Sequence, residues 1–294
     1  MTRTAFIAIV GRPNVGKSTL LNSILGEKVA IVSKKPQTTR NRITGIHTVE
    51  EDQFVFLDTP GVHRPRTRLG DYMVKAADDT LGEADAAILV IEPRDEVGDI
   101  EATIIAKLRA ANIPAILAVN KIDATSREHI AKTIASYAEA YDFDAVVPMC
   151  AKNGKGVDIL LDECKKYLTE SDFFFPSDAL TDQPERQIAA EIIREKLLRT
   201  LEEEIPHGTA VMIESFAEEE KLLSIRAEIF CEKASHKGII IGKHGATLKT
   251  VGTYAREDLE KFFGIKVFLD LWVKVKENWR DNEMLLGSFG FKRD

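Results

Sequence analysis

The 294-residue sequence predicts an α/β domain, a mostly parallel sheet flanked by helices, followed by a smaller α+β domain. Three observations predict it. Apolar runs at Ala5–Val10, Phe54–Leu57, Ala86–Ile91, Ala115–Val119 and Ala145–Met149 alternate with amphipathic stretches, the rhythm of strand and crossover helix. The first run leads through G-x-x-x-x-G-K-[ST] into a helix beginning near Thr19, the strand, loop, helix context that this motif requires. In the last third, Leu223, Ile225, Ala227 and Ile229 alternate with Ser224, Arg226 and Glu228, and the period returns from Ile265 to Val273. Period two marks half-buried strands, and gives the second domain an expected antiparallel character.

The first loop comprises Gly11, Arg12, Pro13, Asn14, Val15, Gly16, Lys17 and Ser18. In such a turn, backbone N–H groups and a helix N-terminus converge on phosphates, the Lys17 ammonium neutralises the outer ones, and the Ser18 hydroxyl ligates Mg²⁺. The second strand ends at Asp58, followed by Thr59, Pro60 and Gly61. An Asp at a strand end after a phosphate loop can hold Mg²⁺ directly or through water, and the Gly61 N–H can reach a γ-phosphate oxygen. The fourth run stops at Asn120, with Lys121, Ile122 and Asp123 behind it, and the fifth leads to Cys150, Ala151 and Lys152. Ligands in parallel sheets bind at these carboxyl ends.

Composition narrows the setting. The chain carries 44% hydrophobic residues, enough for two cores, and a net charge of −7 that argues against a protein coated in nucleic acid without excluding a local basic site. No apolar run approaches the roughly 20 residues a spanning helix needs. Cys150, Cys164 and Cys231 are too few and too scattered for a disulfide framework or a zinc pattern, which fits a reducing, intracellular setting.

With Asn120-Lys121-Ile122-Asp123 in place, the first domain resembles the translation-factor-related GTPases, whose P-loop G domain has this sheet. The resemblance implies that the Asp123 carboxylate accepts from guanine N1–H and the exocyclic amine, that Lys121 stacks along the base, and that Asn120 braces the loop. Adenine offers neither donor, so a buried Asp123 selects GTP and GDP over ATP; a P-loop ATPase is the alternative. Cys150-Ala151-Lys152 resembles the family's Ser-Ala-Lys loop, in which a backbone N–H contacts guanine O6, with Cys150 in place of the usual Ser. Gln37-Thr38-Thr39-Arg40-Asn41 falls where related GTPases keep a switch whose Thr closes on Mg²⁺; the Thr-Arg pair assigns Thr39, with Thr38 as runner-up. Val62 stands where Ras-like proteins place a water-orienting Gln and has no hydrogen-bonding side chain, so slow intrinsic hydrolysis is expected. The segment Val62 to Arg68, including His63 and Arg64, reads as a second switch. Similar GTPases with Asn at the position of Asn14 hold K⁺ beside the phosphates, which adds Asn14 to Lys17, Thr39 and Gly61 as catalytic candidates.

The first domain is expected to span residues 1–172 and a connector 173–184, whose Phe173, Phe174 and Phe175 read as packing between domains. In 185–294 a helix from about Glu185 to Glu204 shows Ile193, Leu197 and Leu201 every four residues. Between the last two strands lies Ile241-Gly242-Lys243-His244-Gly245, followed by a helix with Leu248, Val251, Ala255, Leu259 and Phe262 on one face. The order helix, two strands, helix, GxxG, helix, strand resembles the type II KH module, whose GxxG loop clamps the backbone of about four nucleotides. Arg226 to Lys249 carries five basic residues against two acidic ones. Lys292 and Arg293 extend the basic stretch at the C-terminus.

The two halves together resemble the Era family of bacterial GTPases over nearly the whole chain. The resemblance implies a cytoplasmic, monomeric GTPase that binds small-subunit ribosomal RNA near its 3′ end, acts in small-subunit assembly, and touches the membrane peripherally. It also implies that GTP, by ordering Thr39 and the Val62 region, changes how the KH domain engages RNA. A nucleotide-gated adaptor for proteins or membranes is the competing expectation.

Overall fold

The structure, a computed structural model, describes residues 1–62 and 65–291. His63, Arg64, Lys292 and Arg293, read above as switch and basic tail, lie outside the described residues. The chain divides into two compact units, one of Met1–Ala30, Thr39–Arg64 and Met73–Asp182, the other of Ile31–Thr38, Pro65–Tyr72 and Gln183–Asp294.

Apolar β1 (Arg3–Val10) enters the phosphate loop and α1 (Lys17–Leu25) leaves it. There follow β2 (Ile43–Val49), β3 (Asp52–Asp58), α2 (Arg68–Glu83), β4 (Ala86–Ile91), α3 (Asp99–Ala111), β5 (Ala115–Val119), α4 (Arg127–Ala140), β6 (Ala145–Pro148), α5 (Val157–Cys164) and the short β7 (Thr169–Glu170). The sheet runs β2-β3-β1-β4-β5-β6, parallel except for β2 on its edge, with β7 antiparallel to the start of β1. β4 and β5 are buried at every residue because helices cover both faces. One face packs Ile7, Ile9, Leu20 and Phe56 with α1 and α5; the other packs Val10, Leu89 and Leu117 with α3 and Tyr137 of α4. The parallel register brings Gly11, Asp58, Asn120 and Cys150 to one edge of the sheet.

The Phe triplet lies within this first unit. Phe174 N–H and Phe175 N–H both donate to Gln53 Oε1, at 3.0 and 3.1 Å, and the Phe174 ring meets Phe6 edge-on at 4.9 Å while staying 62% exposed. Leu180 C=O accepts from Ile46 N–H at 2.9 Å and Thr181 Oγ1 donates to Thr44 C=O at 2.7 Å, so the segment lies along the edge strand β2.

In the second unit α6 (Glu185–Thr200) precedes β8 (Ala210–Glu219), β9 (Leu222–Cys231), α7 (Ala234–Ile241), α8 (Ala246–Phe263), β10 (Lys266–Val275) and α9 (Glu283–Ser288). The helix stops at Thr200, short of the expected Glu204. The sheet order is β10-β9-β8, and its character is mixed: β8 and β9 pair antiparallel, but β10 joins β9 in parallel. The period-two pattern gives a strand's facing but not its direction, and α7 with α8 supplies the crossover a parallel neighbour needs. Ile193, Leu197 and Leu201 are buried with Ala227, Ile229, Val251 and Ala255. Trp279, fully buried, donates Nε1–H to Gly208 C=O at 2.9 Å and meets Phe289 at 5.4 Å, tying down the end of the chain. Within this unit α6 also holds Ile31–Thr38: Glu195 Oε1 accepts from Val32 N–H at 3.0 Å, Arg199 donates to Val32 C=O at 3.1 Å, Arg194 donates to Thr38 C=O, and Lys35 Nζ donates to Leu201 C=O.

Candidate nucleotide and nucleic-acid sites

Gly16 caps α1 at φ +106°, and a Cβ there would stand 2.3 Å from Asn120 Nδ2. The phosphate loop is thus closed against the loop after β5, and only glycine permits it. Lys17 folds back over the loop, Nζ donating to Gly11 C=O and Arg12 C=O at 3.1 Å each. Its side chain is buried, and desolvation lowers its pKa to about 8 against the opposing charge of Asp58.

Ser18, Thr39 and Asp58 meet beside it. Ser18 Oγ donates to Asp58 Oδ2 at 2.6 Å and lies 2.8 Å from Thr39 Oγ1. The Thr38 hydroxyl instead donates to Lys35 C=O at 2.7 Å, so the geometry separates the two candidate threonines. Asp58 is fully buried, and burial raises its pKa to about 6 while Lys17 and the hydroxyls of Ser18 and Thr39 oppose the rise. Its Oδ1 is buried without a hydrogen bond. A buried carboxylate with one unbonded oxygen, beside two neighbouring hydroxyls, is a hard oxygen donor set that fits Mg²⁺, an ion that takes one or two carboxylates and completes its shell with phosphate and water. Among the described residues no cluster of three or more His, Cys, Asp or Glu offers a second kind of metal site.

Asn120 braces the loops as a structural clasp: Nδ2 donates to Val15 C=O at 2.8 Å and Oδ1 accepts from Ala151 N–H at 2.9 Å. The Ala151 N–H, expected to face guanine O6, therefore has Asn120 as its partner here. Cys150 is buried, its N–H donating to Lys155 C=O at 2.9 Å, while Lys152 is exposed. Asp123 sits in a short 3₁₀ turn, Ile122–Ala124, where its side chain is exposed beside the carboxyl end of β5. Val62 N–H lies 3.3 Å from Gly11 C=O, and its side chain packs against the cluster around Val10 and Leu89. Asn14 adopts a left-handed φ of +67°, and its carbonyl accepts from Lys121 Nζ at 2.7 Å. Lys121 also pairs with Glu92, which no motif marks; the signal is its position one residue past β4.

In the second unit the GxxG turn breaks α7 from α8 through three left-handed residues, Gly242 (φ +73°), His244 (+52°) and Gly245 (+79°). A Cβ on Gly242 would stand 2.2 Å from Thr247 Oγ1 and 2.9 Å from Thr247 N, so this glycine is demanded by the turn itself. Lys243 and His244 project into solvent, and Ile241 is half-buried. Sequence reasoning missed the apolar groups exposed on the same unit: Ile239 and Tyr254 on α7 and α8, and Phe268 and Trp272 on β10. Phe268 and Trp272 share one face four residues apart, and aromatic rings of this kind stack on unpaired bases.

A family model described as a 50S ribosome-binding GTPase matches residues 6–121, and one described as a KH domain matches residues 204–280. The GTPase Era of Clostridium kluyveri is 50% identical over 293 residues, 99% of this chain and 100% of that protein. The GTPase Era of Clostridium acetobutylicum is likewise 50% identical, over 99% of each chain. Among solved structures, a variant of Aquifex aeolicus Era bound to GDP and aluminium fluoride superposes with a TM-score of 0.95 at 38% identity, covering 99% of this chain and 100% of that one. Era in complex with MgGDPNP and nucleotides 1506–1542 of 16S ribosomal RNA superposes with a TM-score of 0.95 at 37% identity, covering 100% of both chains. Phosphate loop, clustered hydroxyl and carboxylate groups, base loop and GxxG turn, carried in this order along the full length shared with these relatives, show that the chain belongs to the Era family of GTPases.

Proposed function

We propose that the protein binds GTP and GDP with Mg²⁺, hydrolyses GTP slowly, and uses its KH domain to bind small-subunit ribosomal RNA near the 3′ end during assembly of that subunit. The observation that carries this reading is the full-length likeness to an Era structure solved with MgGDPNP and 16S ribosomal RNA nucleotides. Gly11 to Ser18 and Thr59 to Gly61 would line the phosphates, Ser18, Thr39 and Asp58 would hold Mg²⁺, and Asn120, Lys121, Asp123 and Cys150 to Lys152 would form the base pocket. The Mg²⁺ would neutralise charge on the phosphates. In this reading residues 1–172 form the G domain, 173–184 a connector and 185–294 the KH domain.

Lys243 and His244 give the cleaner test of RNA binding, because a side chain on Gly242 collides with Thr247 and would disturb the turn itself. Lys243→Asp is expected to weaken binding of a 16S 3′-end oligonucleotide at least about tenfold and to flatten its salt dependence, with the melting temperature unchanged. Unchanged affinity rejects the RNA reading in favour of a nucleotide-gated adaptor. The potassium reading rests on Asn14: single-turnover hydrolysis is expected to run at least about fivefold faster in K⁺ than in Na⁺, and Asn14→Ala to abolish the difference. Equal rates in the two salts reject it. From the family resemblance we also carry over a monomer in the cytoplasm with peripheral membrane contact; among the described residues no helix is long and apolar enough to cross a membrane.

A further inference from the structure

The sheet order puts β4 between β1 and β5, so the residue after β4 stands between the phosphate loop that follows β1 and the base loop that follows β5. That residue is Glu92. Its Oε2 accepts from Arg12 Nη2 at 3.0 Å, inside the phosphate loop, and its Oε1 pairs with Lys121 Nζ, in the base loop. Lys121 Nζ meanwhile donates back to Asn14 C=O at 2.7 Å.

The chain of charges continues inward. Arg12 Nε lies 3.3 Å from Glu101 Oε1, and Glu101, only 1% exposed at the start of α3, lies 3.6 Å from Arg94 Nη1. The Thr133 hydroxyl fixes the backbone of Arg94, accepting from its N–H at 2.9 Å and donating to its C=O at 2.8 Å. Lys121, Glu92, Arg12, Glu101 and Arg94 thus alternate in sign from the base loop, through the phosphate loop, to the helices behind them.

We infer that Glu92 is a positioning residue for guanine-nucleotide retention, holding the phosphate loop and the base loop together through Arg12 and Lys121. The inference rests on reading Lys121 as part of the base pocket. A nucleotide spans both loops, so its release requires at least one of them to move away. With one carboxylate oxygen on a cation of each loop, either loop must break an ion pair to open. Glutamine in place of Glu92 removes that charge and leaves two cations facing each other across it, which favours opening. A plain surface ion pair would instead add a little fold stability and leave release untouched, since all three side chains are partly solvated.

Dissociation of N-methylanthraniloyl-GDP separates these outcomes, measured by stopped flow on the full-length protein alongside urea midpoints. Glu92→Gln is expected to speed release about tenfold, with Glu92→Asp restoring it to within about threefold of wild type. Lys121→Ala speeds release on its own, and the double variant Glu92→Gln/Lys121→Ala releases no faster than Lys121→Ala, because Glu92 acts through Lys121. Effects that multiply in the double variant overturn the inference, as does a Glu92→Gln rate equal to wild type while Lys121→Ala is fast. If Lys121→Ala itself releases at the wild-type rate, the base-pocket reading of Lys121 fails, and the inference with it.

Discussion

Lys17 shows how a single motif residue carries a measurable chemistry. Its ammonium is desolvated to a pKa of about 8, so it is still mostly charged at pH 7. A phosphate group brought beside it favours the charged form, so nucleotide binding takes up a proton once the pH passes 8. Affinity for GDP, measured in magnesium-free buffer, is therefore expected to be about fourfold weaker at pH 8.5 than at pH 7. A Kd independent of pH over this range overturns the assignment. The neighbours of Lys17 were legible in the sequence because fixed spacing encodes them: the phosphate loop needs its glycines, its Lys and its Ser wherever it occurs. Asp58 and Thr39 were legible from their position in the α/β rhythm and from family likeness. Glu92 was not, because its role comes from the lateral order of three strands, which no local pattern records.

At the scale of elements, α6 is the departure from pattern. Arg194, Glu195 and Lys196 are consecutive charged residues and all three are buried, where an amphipathic helix would present at most one such position to the core. Partners explain them: Glu195 receives Val32 N–H, Lys196 Nζ at 2.8 Å and Arg199 at 2.9 Å, Lys196 also pairs with Asp258, and Arg194 is held by Glu191. Removing the central carboxylate takes one of its two anionic partners from the buried Lys196 ammonium and leaves the Val32 N–H with a weaker acceptor, which is costlier than the pair was worth. Glu195→Gln is expected to destabilise the protein by about 3 kcal/mol in urea and to speed amide exchange at Val32. A midpoint within error of wild type, or unchanged exchange at Val32, overturns this account. The sequence shows Ile193, Leu197 and Leu201 as the buried stripe but conceals this second buried row, because charges read as solvent-facing until the partner segment Ile31–Thr38 is in place. β2 was hidden for a related reason: Gly45 interrupts its alternation where a side chain would collide with Leu21, and its register comes from pairing with β3.

At the scale of the whole molecule, the peptide bond between Thr38 and Thr39 is one of the junctions at which the chain passes from one unit to the other. Thr39, whose hydroxyl meets Ser18, groups with the phosphate loop; Ile31 to Thr38 group with the helix that opens the second unit. If nucleotide orders Thr39, as proposed above, the adjoining segment that α6 grips through Arg199 and Leu201 would feel it, and the same connection would transmit in reverse. Thermodynamic linkage makes the two directions equal: the factor by which a GTP analogue changes RNA affinity is the factor by which RNA changes the affinity for that analogue. Arg199 and Lys35 allow this route to be loosened without touching either binding site, and when Arg199 is replaced the buried Glu195 keeps Lys196 Nζ and Val32 N–H as partners. The Lys35→Gln/Arg199→Gln variant is expected to bring both coupling factors toward one together, with the affinity for each ligand alone within about twofold of wild type. Calorimetry with GTP analogue and RNA oligonucleotide, each titrated with and without the other, measures all four affinities. Coupling that survives intact in this variant would place the link between nucleotide and RNA elsewhere than along the Thr38–Thr39 connection.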